Sequence, residues 1–402
     1  MTRLSGAIRT VAIVAAAAPL LWISIGVSGT LSRSPDQNRM ALSLWPWGAK
    51  PQITNASLIV AADPDDIPAT QIREIATAAL MREPVNASAA KLMGLSYALE
   101  NNAALARKYF QQSEVLSRRD LTAQLWLLED AVSRDDVETA LRHYDKALRT
   151  SKPIASTLFP ILASALDDEN VSDQVIALLQ AKPLWSDRFL SFAIPKVEKA
   201  SVLMEMVRKL DFDTSANPIL AKKIVARLDE IEGSGAAYAA YQQLFLRDRN
   251  ASGSLLTNGD FSRIPDGSIF DWRLRNGASA FARRESAGGG TYRLHLVERG
   301  ERGGTLASQN TVLAPGTYVV KATAGGLQDG TQILRILVNC TDPTGSWRQR
   351  IDISVDPKPD SFSREISVPA GCVAQQFALG TPPARNADLW ISDLAVVQKG
   401  SD

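Results

Sequence analysis

Histidine is the side chain most often used for proton transfer and metal binding near neutral pH. This chain has two in 402 residues, His143 in "LRHYDKAL" and His295 in "TYRLHLV". Neither has a cysteine or a second histidine at metal-ligand spacing. His143 reads as a solvated helix residue, while His295 alternates onto one strand face with Arg293, opposite Tyr292, Leu294 and Leu296. No Gly-x-Ser-x-Gly elbow, phosphate loop or dinucleotide fingerprint occurs. The acids are scattered, and no carboxylate pair for glycoside cleavage can be singled out. These residues point to a protein that binds, with no catalytic group, metal site or cofactor expected.

Sugar binding asks for aromatic faces flanked by hydrogen-bonding side chains. Trp347 falls in phase with Ile351, Ile353 and Val355 and so reads as core, as does Trp272. Trp390 stays ambiguous, because its strand is apolar on both faces. Alternation sets Arg348 and Arg350 opposite Trp347, and Arg335 with Asn339 opposite Leu334 and Ile336. If these strands neighbour the one carrying Arg293 and His295, a single sheet face holds an arginine cluster. Such a cluster could cradle an acidic polysaccharide through bidentate carboxylate contacts. The alternative is a solvated face with ion pairs inside the sheet. The candidate glycan-binding set is Arg293, His295, Arg335, Arg348, Arg350 and Trp390.

Glycine shows which elements must position these residues. Between Ala49 and Glu232 the only glycine is Gly94, whereas from Gly253 onward the chain carries 18 of its 25. Glycine is costly inside helices and useful in turns, so an all-helical region is expected to precede an all-β one. After Leu255 come short alternating units such as "GTYVVKATA", "QILRILVNC" and "WRQRIDISV", divided by Pro/Gly/Asp turns. This pattern predicts a β-sandwich. The expected boundaries are 1–33 for a membrane anchor or signal, 34–67 for an extended linker, 68–246 for helices, 247–254 for a second linker and 255–402 for the sandwich. Length allows two or three domains with proper cores.

Inside the helical region Ala106, Phe110 and Ser113 recur 34 residues later as Ala140, Tyr144 and Ala147. The spacing puts each set on one helix face. Gly94 and Tyr97 stand on the preceding helix of the first copy, "LMGLSYALENNAALARKYFQQS". This resembles the tetratricopeptide repeat, whose paired helices dock through such a small–aromatic–small set. The resemblance implies a helical-repeat solenoid, and hence a surface for a partner protein.

The β region carries a second resemblance. "LLTNGDFS…FDWRL", "LAPGTYVVKATAGG" and "ADLWISDLAVV" resemble the opening, central and closing strands of carbohydrate-binding modules of the galactose-binding-like jelly-roll type. That family implies glycan contact and sometimes a structural calcium near the first strand. Asp260 lies in a suitable position but no complete ligand set is visible, and Asn258 and Asp260 also suit turn hydrogen bonds. Taken together with "LSRRDLTAQLWLLED" and "VPAGCVAQQFAL", the chain resembles proteins found with bacterial exopolysaccharide export machinery.

From Thr10 to Ser32 there is no charge, and Arg3 and Arg9 precede the apolar run. It reads as a transmembrane helix with its basic end cytoplasmic, or as a secretion signal cleaved near Val27-Ser28-Gly29. Either way the bulk of the chain is exported, to the periplasmic side of an inner membrane. The two cysteines, Cys340 and Cys372, then form one disulfide. A formal charge of +1 gives no reason to expect nucleic acid. The expectation is a non-catalytic periplasmic adaptor, its partners an envelope or polysaccharide-export protein and a polysaccharide. The alternatives are a protein–protein assembly factor with a purely structural sandwich and, further off, a glycan-active enzyme.

Overall fold

The structure, a computed structural model, describes residues 43, 49–62, 67–214, 216–246, 254–300, 303–341, 346–383 and 386–400. The expected anchor at 1–33 lies outside these residues, as does the second linker except Ser254. Among the described residues no helix is long and apolar enough to cross a membrane. Among the described residues twelve α-helices are followed by two antiparallel sheets of five strands. The chain forms two compact units. One ends at Leu162 and takes in Pro183–Trp185; the other holds Ala163–Lys182 and the chain from Ser186 onward.

The first unit contains α1 (Ala49–Ala62), α2 (Ala69–Arg82), α3 (Ala87–Leu99), α4 (Ala103–Leu116), α5 (Leu121–Val132) and α6 (Val137–Thr150). It also holds most of α7 (Ala155–Ser164). Helix α1 corrects the expectation that 34–67 is extended. Ile53, Ala56 and Val60, spaced three and four apart, are buried with Ile72 and Ala76 of α2, and this stripe is what makes the segment helical.

Helices α3 to α6 form two hairpins that repeat at 34 residues. Asn86 and Asp120 cap α3 and α5 by accepting from Ala89 N and Ala123 N. Asn102 and Asp136 do the same for α4 and α6. The residue before each of the latter caps, Asn101 and Asp135, has φ of 58° and 56°, a left-handed turn that Asn and Asp tolerate. Ala106, Phe110 and Ser113 are wholly buried, and Ala140, Tyr144 and Ala147 are buried too. Gly94 lets the hairpin close: a Cβ there would lie 2.9–3.0 Å from the Phe110 ring. Phe110 in turn stacks on Trp126 of α5 at 4.7 Å, and Tyr97 stacks on Tyr109 at 5.6 Å.

The second unit contains α8 (Glu169–Gln180), α9 (Ser186–Ala193), α10 (Ala200–Lys209), α11 (Ile219–Ile231), α12 (Ser234–Phe245) and the sandwich. The strands are β1 (Arg273–Leu274), β2 (Ala280–Gly288), β3 (Thr291–Glu298), β4 (Gly304–Thr311), β5 (Gly316–Gly326), β6 (Gln332–Cys340), β7 (Arg348–Val355), β8 (Asp360–Val368), β9 (Gln375–Thr381) and β10 (Ala387–Gln398). The first sheet has order β1-β4-β9-β6-β7 and the second β2-β3-β10-β5-β8. Alternating apolar residues from both fill the space between, including Leu294, Leu296, Val320, Ile336, Val338, Phe377 and Leu389, as two packed sheets require. Trp272 belongs to this core, and Trp347 packs against it half-buried.

The opening segment 255–259 closes on the last strand. Leu255 N donates to Val396 O at 2.8 Å and Leu394 N to Gly259 O at 2.9 Å. A Cβ at Gly259 would fall 1.9 Å from Leu394 O, so no other residue allows this crossing. The Trp272 indole donates to Asn258 O at 3.1 Å. Helix α12 lies against the same corner: Tyr238 and Tyr241 meet Phe270 with ring centroids 5.1 and 5.5 Å apart. The Tyr241 hydroxyl reaches Asp266 at 3.3 Å. Cys340 and Cys372 are joined in a disulfide, Cα–Cα 5.6 Å, as expected.

Candidate functional site

The strands of Arg335, Arg348 and Arg350 do not neighbour the one carrying Arg293 and His295, and the single arginine cluster does not form. Arg293, His295 and Trp390 lie on β3 and β10 of the second sheet, while Arg335, Arg348 and Arg350 lie on β6 and β7 of the first. Alternation assigns a face within one strand but carries no information about which sheet a strand joins, and here it splits the six residues into two groups.

On the second sheet His295 stands between two acids, with Nδ1 2.9 Å from Glu285 and Nε2 2.7 Å from Asp388. Burial tends to raise the Glu285 pKa, but Arg283 and His295 outweigh it and hold the carboxyl below the usual range. Arg293 lies 3.6 Å from Glu285 and 5.3 Å from the centre of the Trp390 ring. Trp390 is half-buried and lies across Gly325 of β5, where a Cβ would come within 2.7 Å of the ring. The charges on this face are largely spent on one another.

On the first sheet the register aligns Asn310, Gln376, Asn339 and Arg348 in one row across β4, β9, β6 and β7. Arg348 donates to Asn339 at 2.8 Å, and Gln376 to Asn310 at 3.4 Å. Four residues along, Arg335 pairs with Asp352 through both nitrogens at 2.8 and 2.9 Å, with Arg350 3.6 Å from the same carboxylate. That bond to Arg335 is the main cause holding Asp352 below the usual carboxylate range. Arg335 and Arg350 are thus engaged inside the sheet, whereas Arg348 opens onto a groove.

That groove encloses about 980 Å³. Its floor is the amide row and Arg273 of β1, its far wall is the corner between α11 and α12, with Asp229, Glu232 and Gly233 to Gly235, and its rim includes Cys340 and Val373. Both walls belong to the second unit. Asp229 accepts from Ser234 at 2.6 Å. The side chains of Arg273 and Glu232 are exposed and make no hydrogen bond or ion pair among the described residues. Sequence reasoning missed Arg273, Asn310, Gln376 and Glu232. Their cross-sheet alignment depends on pairing strands distant in sequence, and the chain offers no local sign of it. An amide-rich floor bearing Arg348 and the free guanidinium of Arg273, faced by the free carboxylate of Glu232, offers donors and acceptors to a polyhydroxylated ligand.

Asp260 accepts from Ser262 N at 3.2 Å and Ser262 Oγ at 3.1 Å. Asn258, at φ 55°, accepts from Arg263 N and donates to Arg263 O, both at 3.1 Å. These are the turn hydrogen bonds. Asp271, fully buried, accepts from Asp266 N and Trp272 N, and burial pushes its carboxyl up. Among the described residues no group of three or more His, Cys, Asp and Glu side chains could hold a metal ion.

No family model matches the chain, and no curated protein matches it. The β-sandwich is similar to solved carbohydrate-binding modules. A family 4 module is 15% identical, covering 36% of this chain and 99% of the other at a TM-score of 0.28. A family 16 module is 20% identical over 36% and 99%, TM-score 0.27. The CBM22-1 xylan-binding domain from Paenibacillus barcinonensis Xyn10C is 16% identical over 36% and 94%, TM-score 0.29. At these identities and scores the likeness is one of fold over about a third of the chain, and it carries no argument about ligand.

Proposed function

We propose that the chain is a non-catalytic, membrane-tethered periplasmic adaptor. Its helical repeats, of tetratricopeptide type, dock a protein of the envelope or of polysaccharide export. Its sandwich holds a polysaccharide segment in the groove over the first sheet. The observation that carries the glycan reading is the amide row Asn310, Gln376 and Asn339, which with Arg348 lines one groove together with the free side chains of Arg273 and Glu232. The two guanidiniums favour an acidic chain, since arginine matches carboxylate geometry. Support for export comes from the uncharged run 10–32 behind Arg3 and Arg9 and from the Cys340–Cys372 disulfide, which suits an oxidising compartment. Retention of the full chain in affinity electrophoresis through acidic polysaccharide gels tests the groove. Arg273→Ala/Arg348→Ala should abolish a salt-sensitive retention that Arg350→Ala leaves in place. Equal retention of all three proteins removes the groove from the account.

One observation favours a second reading, an assembly factor with a structural sandwich: no aromatic ring lines the groove, and sugar sites usually offer one. No retention of the unaltered chain on any acidic or neutral polysaccharide would select it.

A further inference from the structure

A second groove, of about 720 Å³, runs between α4 and α6 over the end of α5. It is built chiefly by the second helix of each hairpin. Five cationic side chains line it, Arg107, Arg118, Arg134, Arg142 and Lys146, against two carboxylates, Glu114 and Asp130. The chain as a whole carries a formal +1, so this surplus of three is local.

Both carboxylates are already engaged. Asp130 accepts from Arg107 at 2.6 and 2.7 Å and from Arg134 at 3.2 Å, a network that ties α4, α5 and the following turn together. Glu114 pairs with Lys146. His143 is buried beneath, its Nδ1 2.7 Å from Gln124 Oε1. What is left over is cationic. Arg118 is exposed and makes no hydrogen bond or ion pair among the described residues. Arg142 is exposed and reaches only the Thr139 hydroxyl, at 2.9 Å. Beside them Val115 is 81% exposed, an aliphatic side chain facing water at the edge of a charged groove. No Phe, Tyr or Trp lines it.

We propose that this groove docks an acidic peptide segment of the partner protein, with carboxylates meeting Arg118 and Arg142 and an aliphatic side chain covering Val115. The inference rests on the adaptor reading above and gives it a surface and a chemistry. A peptide fits better than an acidic glycan, because the exposed valine has no match on a uronic acid and a sugar face has no ring to stack on. The Arg107–Asp130–Arg134 network fixes the walls in advance, which lowers the ordering cost of binding.

The test is fluorescence anisotropy on the full chain in detergent, with a fluorescein-labelled peptide alternating Glu and Leu. A Gln–Leu peptide and an oligogalacturonide serve as comparators. The acidic peptide should bind, and weaken as salt rises from about 50 to about 500 mM, since salt screens exposed charges. Arg118→Glu/Arg142→Glu should lower its affinity by about ten-fold or more with unchanged circular dichroism and thermal midpoint, because neither side chain is paired with a carboxylate among the described residues. Equal binding of the Gln–Leu peptide, preference for the oligogalacturonide, or no binding of the acidic peptide overturns the proposal. Equal binding by the double variant overturns the groove while leaving the adaptor reading in place. Failure of the adaptor reading has a different signature: photo-cross-linkers placed along α1 to α6 give no protein adduct in cells.

Discussion

At the scale of single residues, His143 departs most from its expected place. The stretch "LRHYDKAL" reads as a solvated helix face, yet His143 is buried, because α5 sets Gln124 across from it. Glu114 of α4 and Arg142 and Lys146 of α6 also face it. Burial lowers its pKa below the ordinary 6.5, with the nearby Glu114 pulling the other way. The unfolded chain therefore takes up a proton near pH 6.5 that the folded helix resists. Stability is full above that value and falls as pH drops through the window beneath it. We expect the thermal midpoint of the helical unit to decline between about pH 7.5 and 5.5 and His143→Gln to flatten that decline. A flat profile in the unaltered protein contradicts it. Asp130 acts in the same direction at lower pH. Burial would raise its pKa, but Arg107 and Arg134 outweigh this and hold it under 3.8. Its contribution is present above that value and lost as pH falls through the folded one.

At the scale of elements, the two hairpins were legible from Ala106, Phe110, Ala140 and Tyr144, and more of the repeat was available than those positions. Asn86, Asn101 and Asn102 return as Asp120, Asp135 and Asp136, two caps and a left-handed turn per copy. The Asn-to-Asp exchange hides them from identity matching while keeping the chemistry. Close approach at Gly94 predicts that Gly94→Val costs about 1–3 kcal/mol by overpacking against Phe110, read as a lower urea midpoint with unchanged slope. In the sandwich the disulfide joins the end of β6 to the turn before β9. Removing both cysteines should cost about 3–4 kcal/mol in the chain-entropy model. Two-transition melts would show this as a fall in the sandwich transition alone; a fall in the helical one would count against it. Strand existence and face were readable from alternation. Which sheet each strand joined was not, and the candidate site dissolved into two for that reason.

At the scale of the whole molecule, glycine usage marks the change from helices to strands, and the division into compact units falls elsewhere. The seam falls within α7, and α8 to α12 share a compact unit with the sandwich. Phe270 explains this. It is fully buried, and Tyr238 and Tyr241 of α12 cover it. Nothing in the local sequence marks a phenylalanine in a Gly/Ser/Asp turn as half of a helix contact. A fragment spanning 254–402 should accordingly melt lower than one spanning 163–402 and bind hydrophobic dye. In the full chain Tyr241→Ala should cost about 3–5 kcal/mol. Matching midpoints for the two fragments would refute this.

The pairing of Leu255 with Val396 has a consequence for how the protein is made. The hydrogen bond from Val396 N to the Ser254 hydroxyl spans 142 residues. While the chain is being synthesised, the first segment of the sandwich waits for its partner until β10 has emerged. The helical hairpins, whose contacts are local, complete themselves turn by turn. Nascent chains halted before β10 should therefore hold a protease-resistant helical body and a cleavable remainder, its strands unclosed over that interval.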